Sequence, residues 1–220
     1  QLLELISYLF SVGGSSTVMA RPLHRSIMRY LILTLLPLSA CLAPQGVMLD
    51  SPLAPLVRET LESTRTDLPI LVLEDAATLP SGARASCHQD HIVLAREAQD
   101  EFDFFVAHEL VHWYIDESPY AGLPHFIEEG LADWIACDLM GGLEGRIAQN
   151  IEIGTMSVDP RRLAVTGAGW SYLSREERQS LTRAGFDLVR RLGFEKLRVL
   201  LRENASPMDY LRAAGVAEGR

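Results

Sequence analysis

Residues 102–114 contain the sequence HELVH at positions 108–112, among phenylalanine, valine, tryptophan and tyrosine side chains. So many apolar residues around the motif predict a helix that is buried on most of its faces. In a helix, residues four positions apart project from the same face, so His108 and His112 lie together with the Glu109 carboxylate beside them. Buried polar side chains need partners, and this spacing suits a metal ion such as zinc.

A third metal ligand is expected downstream, because zinc centres usually take at least three protein ligands. Residues 123–134 predict a second helix that carries two adjacent acids, Glu128 and Glu129. Glu129 shares a helical face with Asp133, which could accept the remaining N–H of a zinc-bound histidine. Glu128 has Ala132 at the corresponding position and gains no such helper. Glu129 is therefore the predicted third ligand, with Glu128 as its competitor.

The HELVH motif and the following E-G-x-A and E-x-x-x-D patterns resemble the gluzincin zinc metallopeptidases, in which a second helix supplies a glutamate ligand. The E-G-x-A segment is similar to their aminopeptidase-like branch, and E-x-x-x-D is similar to their thermolysin-like branch. The resemblance covers residues 102–139 and, more loosely, the helical tail. It implies that His108, His112 and Glu129 bind one Zn²⁺ ion, and that Glu109 is the general base that activates a metal-bound water for peptide-bond hydrolysis.

The same resemblance implies a tyrosine or histidine that donates a hydrogen bond to the oxyanion formed during hydrolysis. Tyr172 is the first candidate for this catalytic role, and His125 and Tyr120 are the alternatives. A loop aromatic that packs on the core is an equally good interpretation of Tyr172.

The N-terminal region carries the features of an export signal. Residues 28–37 combine a basic start with an apolar stretch that is too short to span a membrane. The following Leu-Ser-Ala-Cys sequence looks like a bacterial lipobox, which implies removal of residues 1–40 and lipidation of Cys41. A signal peptide without lipidation is the alternative. Leu42, where an aspartate would favour retention at the inner membrane, favours an outer-membrane location facing the periplasm.

The length of the chain predicts one folded domain after this signal, at residues 56–220, preceded by a lipidated tether at residues 41–55. The net charge of −9 argues against a nucleic-acid partner. The expected partners are a peptide or protein substrate and, through the lipid anchor, a membrane.

Hydrophobic and turn patterns predict an α+β fold with a small N-terminal sheet and a mostly helical C-terminal half. The predicted elements are a helix at 56–66, strands at 69–73 and 91–95, a turn at 80–82, and helices at 174–192, 194–202 and 207–213. Ser174 and Glu177 form a predicted capping box, and Gly193 ends the helix that this box begins. Gly130 is expected to let the second site helix approach the HELVH helix closely. By resemblance the fold is zincin-like, with the strand at 91–95 as an edge strand beside the cleft.

Two cysteines, Cys87 and Cys137, could form a disulfide or remain separate thiols. Cys87 could also join His88 and His91 in a metal site, although their spacing matches no common one.

Two functions fit these features. The first is an active zinc-dependent peptidase anchored by lipid at a bacterial cell envelope. The alternative is a catalytically inactive zincin-like module that binds a peptide or a partner. The presence of Glu109 beside both histidines favours the first, because a module without catalysis has little use for a base at that position.

Overall fold

A computed structural model describes residues 46–79, 83–142, 163–165, 167–170 and 172–216. The predicted signal segment, the lipidation site Cys41 and the turn at 80–82 lie outside the described residues.

The described strands form a four-stranded sheet in the order β1-β2-β4-β3. They are β1 (Val47–Met48), β2 (Ile70–Glu74), β3 (Ala85–Cys87) and β4 (His91–Ala95). β2 and β4 are parallel, and the two outer strands pair antiparallel to them. The predicted strand at 91–95 is confirmed, and the one predicted at 69–73 is shifted by one residue.

The edge strand differs from the prediction. β4 lies between β2 and β3, so it is an interior strand, and β3 forms the edge that contacts the HELVH helix. The physical reason is that β4 is apolar on both faces, since Ile92, Val93 and Leu94 are all buried. A strand that is apolar on both faces is stable only where other elements pack against both faces, which favours an interior position in the sheet.

Helices make up most of the remaining described chain. They are α1 (Leu53–Thr60), α2 (Phe102–Ile115), α3 (His125–Leu139), α4 (Gly167–Trp170), α5 (Arg175–Arg202) and α6 (Pro207–Ala213). The predicted capping box begins α5, and Gly193, with φ 68°, interrupts it where the helix was predicted to end. The described residues thus form an α+β fold with a small sheet. Within them, no helix is both long enough and apolar enough to cross a membrane.

The folded region begins earlier than residue 56. β1 and the start of α1, at residues 53–55, lie within the range that was assigned to the tether. Leu49 and Ala54 are buried in the main hydrophobic core, so this range packs as part of the domain.

Close packing of α3 against α5 depends on two glycines. A Cβ atom on Gly130 would lie 2.1 Å from the carbonyl carbon of Gly185, and one on Gly185 would lie 1.8 Å from the backbone oxygen of Phe126. Neither position has room for a side chain, so α3 and α5 meet backbone to backbone. The expectation that Gly130 serves the contact between α3 and α2 is therefore wrong, because the helix that it meets is α5.

Candidate metal centre

The HELVH helix, α2, presents its two histidines to the same point. Most of α2 is buried, as its apolar sequence predicts. The rings of His108 and His112 lie one helical turn apart, and their Nε2 atoms are separated by 3.3 Å. Two imidazole nitrogens at this distance can both bind the same metal ion.

The Glu129 carboxylate on α3 completes a group of three donors. One of its oxygens lies 3.6 Å from His108 Nε2 and the other lies 3.6 Å from His112 Nε2. Tetrahedral zinc with bonds of about 2.0–2.1 Å separates its ligand atoms by about 3.3–3.4 Å. The three residues therefore fit a zinc ion, and they are the group among the described residues whose donor atoms could hold a metal.

The opposite nitrogens of both rings have carboxylate partners. His108 Nδ1 lies 3.1 Å from Asp133 Oδ1, as expected for Asp133. His112 Nδ1 lies 2.7 Å from Glu128 Oε1. Because an ionised carboxylate only accepts, each Nδ1 is the donor, so the neutral form of each ring keeps a lone pair on Nε2 for a metal.

The role of Glu128 was missed from the sequence, where it was considered only as a rival ligand. It does not join the group of Nε2 atoms, because it contacts His112 from the other side of the ring. The available signal was the count of donors: two ligand histidines have two Nδ1–H groups, so a second supporting acid was needed besides Asp133.

The pKa values of His108, His112 and Glu128 favour a protonated imidazole and an ionised carboxylate. Burial lowers the pKa of His112, but the hydrogen bond to Glu128 and the negative charges of Glu129 and Glu128 together outweigh burial and raise the pKa to about 9. The pKa of Glu128 is raised by burial, but hydrogen bonds from His112 and His125 bring it down to about 2. For His108, burial again opposes the hydrogen bonds to carboxylates, which raise its pKa. A divalent cation could replace these protons.

Glu109 is buried beside the two histidines, with 6 % of its surface exposed. Burial raises the pKa of its carboxyl, and the neighbouring His108 and His112 partly oppose that rise. A backbone hydrogen bond from Cys87 also acts on this carboxylate and lowers its pKa. A carboxylate whose pKa is raised can accept a proton and later return it, which is the behaviour required of a general base.

All of these side chains open into one cavity of about 980 Å³. Its walls come from α2, α3, β3 and the first half of α5. Because β3 contacts α2 and α5 contacts α3, the cavity has a strand wall and a helix wall. Its size is in the range of small-molecule and peptide sites.

The three candidates for the oxyanion-stabilising residue lie in different environments. His125 lines the cavity, and its Nε2 is 3.4 Å from Glu129 Oε1. Tyr172, the first candidate, is 90 % exposed and is not among the residues that line the cavity. Tyr120 is fully buried and its hydroxyl accepts a hydrogen bond from Arg198. Of the three, the structure brings only His125 to the candidate metal ligands.

The backbone of β3 has an open edge at the cavity. Arg84 and His88 form the hydrogen bonds with β4 at either end of β3. Because successive residues of an antiparallel strand alternate in direction, the backbone groups of Ala85 and Cys87 point away from β4. Both residues line the cavity, and within the described residues no strand pairs with this edge.

Of the roles considered for the cysteines, the structure shows separate thiols. Cys87 and Cys137 do not form a disulfide with each other. Burial raises the pKa of the Cys87 thiol, which disfavours the thiolate that a metal needs. His88 and His91 stack at the end of the β3–β4 hairpin, and with Cys87 they form no metal-binding group among the described residues.

Comparisons with protein-family models, with curated proteins and with solved structures gave no match to this chain.

Proposed function

We propose that the chain is a zinc-dependent peptidase that hydrolyses peptide bonds with Glu109 as the general base. One observation carries the proposal: the Nε2 atoms of His108 and His112 and the Glu129 carboxylate lie 3.3 to 3.6 Å apart in the cavity that also contains Glu109. Three such donors beside a buried carboxylate are the parts that metal-assisted hydrolysis requires.

His108, His112 and Glu129 would hold the zinc ion, and Asp133 and Glu128 would fix the orientation of the two rings. When bound, zinc supplies Lewis-acid chemistry, which makes a water molecule more acidic and polarises a carbonyl group.

Glu109 takes up the proton that the attacking water loses, and it then donates a proton to the departing amine. Its buried position beside His108 and His112 suits both steps, because burial raises the pKa of the carboxyl. His125, which lines the cavity 3.4 Å from Glu129, is our candidate for the donor to the developing oxyanion.

The open edge of β3 would bind an extended peptide by strand addition. Ala85 offers its backbone groups there, and the neighbouring backbone N–H of Cys87 faces Glu109. An edge strand beside the site helix also supports the zincin-like character of the fold and the relation to gluzincins, which we propose on the HELVH and Glu129 pattern.

We also propose that lipid at Cys41 anchors the chain to a bacterial cell envelope, at the outer membrane facing the periplasm. The support is the order of basic residues, short apolar stretch and Leu-Ser-Ala-Cys sequence before residue 42. Mass spectrometry of the N-terminal peptide from the expressed chain tests this, and an unmodified Cys41 would contradict it.

The test of function is Glu109→Gln in the zinc-loaded chain, assayed for cleavage of a peptide library. We expect one zinc ion per chain in both proteins and a roughly 10²- to 10⁴-fold slower cleavage in the variant, as is typical of a lost general base. Glu117→Gln makes the same chemical change at an exposed position outside the cavity and should cleave like the wild type.

Two outcomes would count against the peptidase. Absence of stoichiometric zinc in the wild type would remove the basis of the proposal. Zinc without cleavage that depends on Glu109 would favour the inactive binding module instead.

A further inference from the structure

One face of the first half of α5 lines the cavity that contains the candidate metal ligands. The residues on this face are Arg175, Arg178, Gln179, Thr182 and Arg183. Their spacing of three and four positions is that of a single helical face. Three of the five carry a positive charge that no ordinary pH removes. We call these three arginines the basic face.

The acids of this half-helix are placed differently. Glu176 and Glu177 are not among the described residues that line the cavity. Glu177 instead belongs to the capping box, where its carboxylate accepts a hydrogen bond from the Ser174 backbone at 2.8 Å. The helix therefore directs its positive charges toward the cavity, in a chain whose net charge is −9. Overall composition does not explain this arrangement.

Other arginines of the cavity have acidic partners. Arg65 forms an ion pair with Asp67 at 2.9 Å, and Arg84 forms one with Glu101 at 3.3 Å. Arg183 is half-buried at the cavity wall and makes no ion pair with any residue in the described part of the chain. A guanidinium in this position has hydrogen-bond donors available for a ligand, and partial removal from water strengthens its attraction to an anion.

The basic face also lies close to the candidate metal ligands. Gly130, the residue after Glu129, meets Gly185 backbone to backbone where α3 crosses α5. Arg183 is two residues before Gly185 on the same helix. One helix contact therefore brings Glu129 and Arg183 to the same region of the cavity.

We propose that the basic face binds a carboxylate of the substrate, so that the cavity selects peptides with a negative charge near the scissile bond. The carboxylate is either an Asp or Glu side chain or the free C-terminus of the peptide. Arginine suits both, because its planar fork can donate two parallel hydrogen bonds to one carboxylate. This inference rests on the proposed peptidase function and names its substrate class.

The test uses binding to the zinc-loaded full chain carrying Glu109→Gln, so that cleavage does not interfere. Three fluorescent peptides share one neutral sequence: the first has a C-terminal amide, the second adds one glutamate, and the third ends in a free carboxylate. We expect the glutamate peptide or the free-carboxylate peptide to bind roughly tenfold or more tightly than the amide, as for hydrogen bonds to charged groups. The peptide that gains affinity identifies the source of the carboxylate.

Arg183→Gln in the same background should remove most of this preference, and Arg183→Lys should restore part of it by keeping the charge. Lys196→Gln removes one positive charge from an exposed position of α5 outside the cavity, and should keep the preference. Circular dichroism and zinc content establish that each variant is folded.

Equal affinity for all three peptides would overturn the proposal. So would an Arg183→Gln variant, folded and zinc-loaded, that weakens all three peptides by the same factor. If the wild type cleaves no peptide but the chain still prefers peptides with a carboxylate, this inference stands and the peptidase function is contradicted. The two failures can therefore be told apart.

Discussion

Two regions of the molecule bury carboxylates and solve the problem of their charge in different ways. At the candidate metal centre, Asp133 and Glu109 are 5 % and 6 % exposed, and histidines lie beside them. On α5, Asp187 is 1 % exposed, and it accepts hydrogen bonds from Arg190 and Arg191. Burial of an ionised carboxylate is costly in both places unless a cation compensates it.

The difference lies in whether the compensating charge can be exchanged. An arginine does not lose its proton at any pH at which the protein is folded, so Asp187 is compensated permanently. A histidine can lose its proton, and a metal ion can take that proton's place. The histidine cluster also opens into the cavity, whereas Asp187 is not among the cavity's lining residues. The first arrangement suits a binding site, and the second suits a structural contact.

The largest expected effect is on zinc binding, and His112→Ala tests it. Removal of one of three donors should abolish stoichiometric zinc, a greater loss than the roughly 10- to 100-fold caused by changes to supporting residues. The measurement is zinc content by mass spectrometry after dialysis against a low concentration of a competing chelator.

Asp187→Asn is the matched control from the other region. It should keep one zinc ion per chain but lower the free energy of unfolding by roughly 1.5–3 kcal/mol, because it weakens charged hydrogen bonds at a buried site. Urea unfolding measures this cost. If Asp187→Asn lost zinc as completely as His112→Ala, the distinction between a binding site and a structural contact would be wrong.

A smaller effect is expected from the acids that hold the rings. Asp133→Asn and Glu128→Gln should each weaken zinc binding by roughly 10- to 100-fold, since each acts on a different histidine. Asp116→Asn is the control, because Asp116 lines the cavity at an exposed position and forms no hydrogen bond or ion pair with either ring among the described residues. Competition with a fluorescent zinc indicator gives the affinities. Wild-type affinity in both variants would show that the ring contacts do not support a metal.

Local sequence signals predicted the parts of the fold that local physics determines. The apolar run of β4, the capping box at Ser174 and the break at Gly193 each specify an element without reference to the rest of the chain. β1 and β3 were not predicted, because they are two and three residues long. Their strand character comes from pairing with β2 and β4, which are distant or separated by a turn.

The candidate site follows the same division. His108 and His112 share a face because they are one turn apart on one helix, and Asp133 follows from Glu129 in the same way. The contact of Glu128 with His112 joins two helices, so it depends on how α2 and α3 cross. The basic face depends on the rotation of α5 about its axis, and the first turns of α5 are too polar on several sides for the sequence to show which side faces inward.

The last expected effect concerns the stability of the zinc-free protein between pH 6.5 and pH 9. The pKa of His112 rises from 6.5 to about 9, because the hydrogen bond to Glu128 and the charges of Glu129 and Glu128 together outweigh the effect of burial. A group whose pKa is raised by folding stabilises fully below its unfolded value, and that contribution is lost as the pH rises through the folded value. Urea unfolding after zinc removal should therefore show stability that falls across this window.

The pH dependence separates the two regions once more. Guanidinium groups keep their charge in this pH window, so the contact of Asp187 with its arginines should contribute no slope. Asp187→Asn should thus lower the free energy of unfolding equally at every pH. Glu128→Gln should reduce the slope of that free energy against pH, because it removes one of the two carboxylates that raise the pKa of His112. Added zinc should act in the opposite direction, because fewer protons must be displaced as the pH rises, so its stabilising effect should grow across the same window. An equal dependence of stability on pH in the wild type and in Glu128→Gln would mean that the contact between His112 and Glu128 does not cause it.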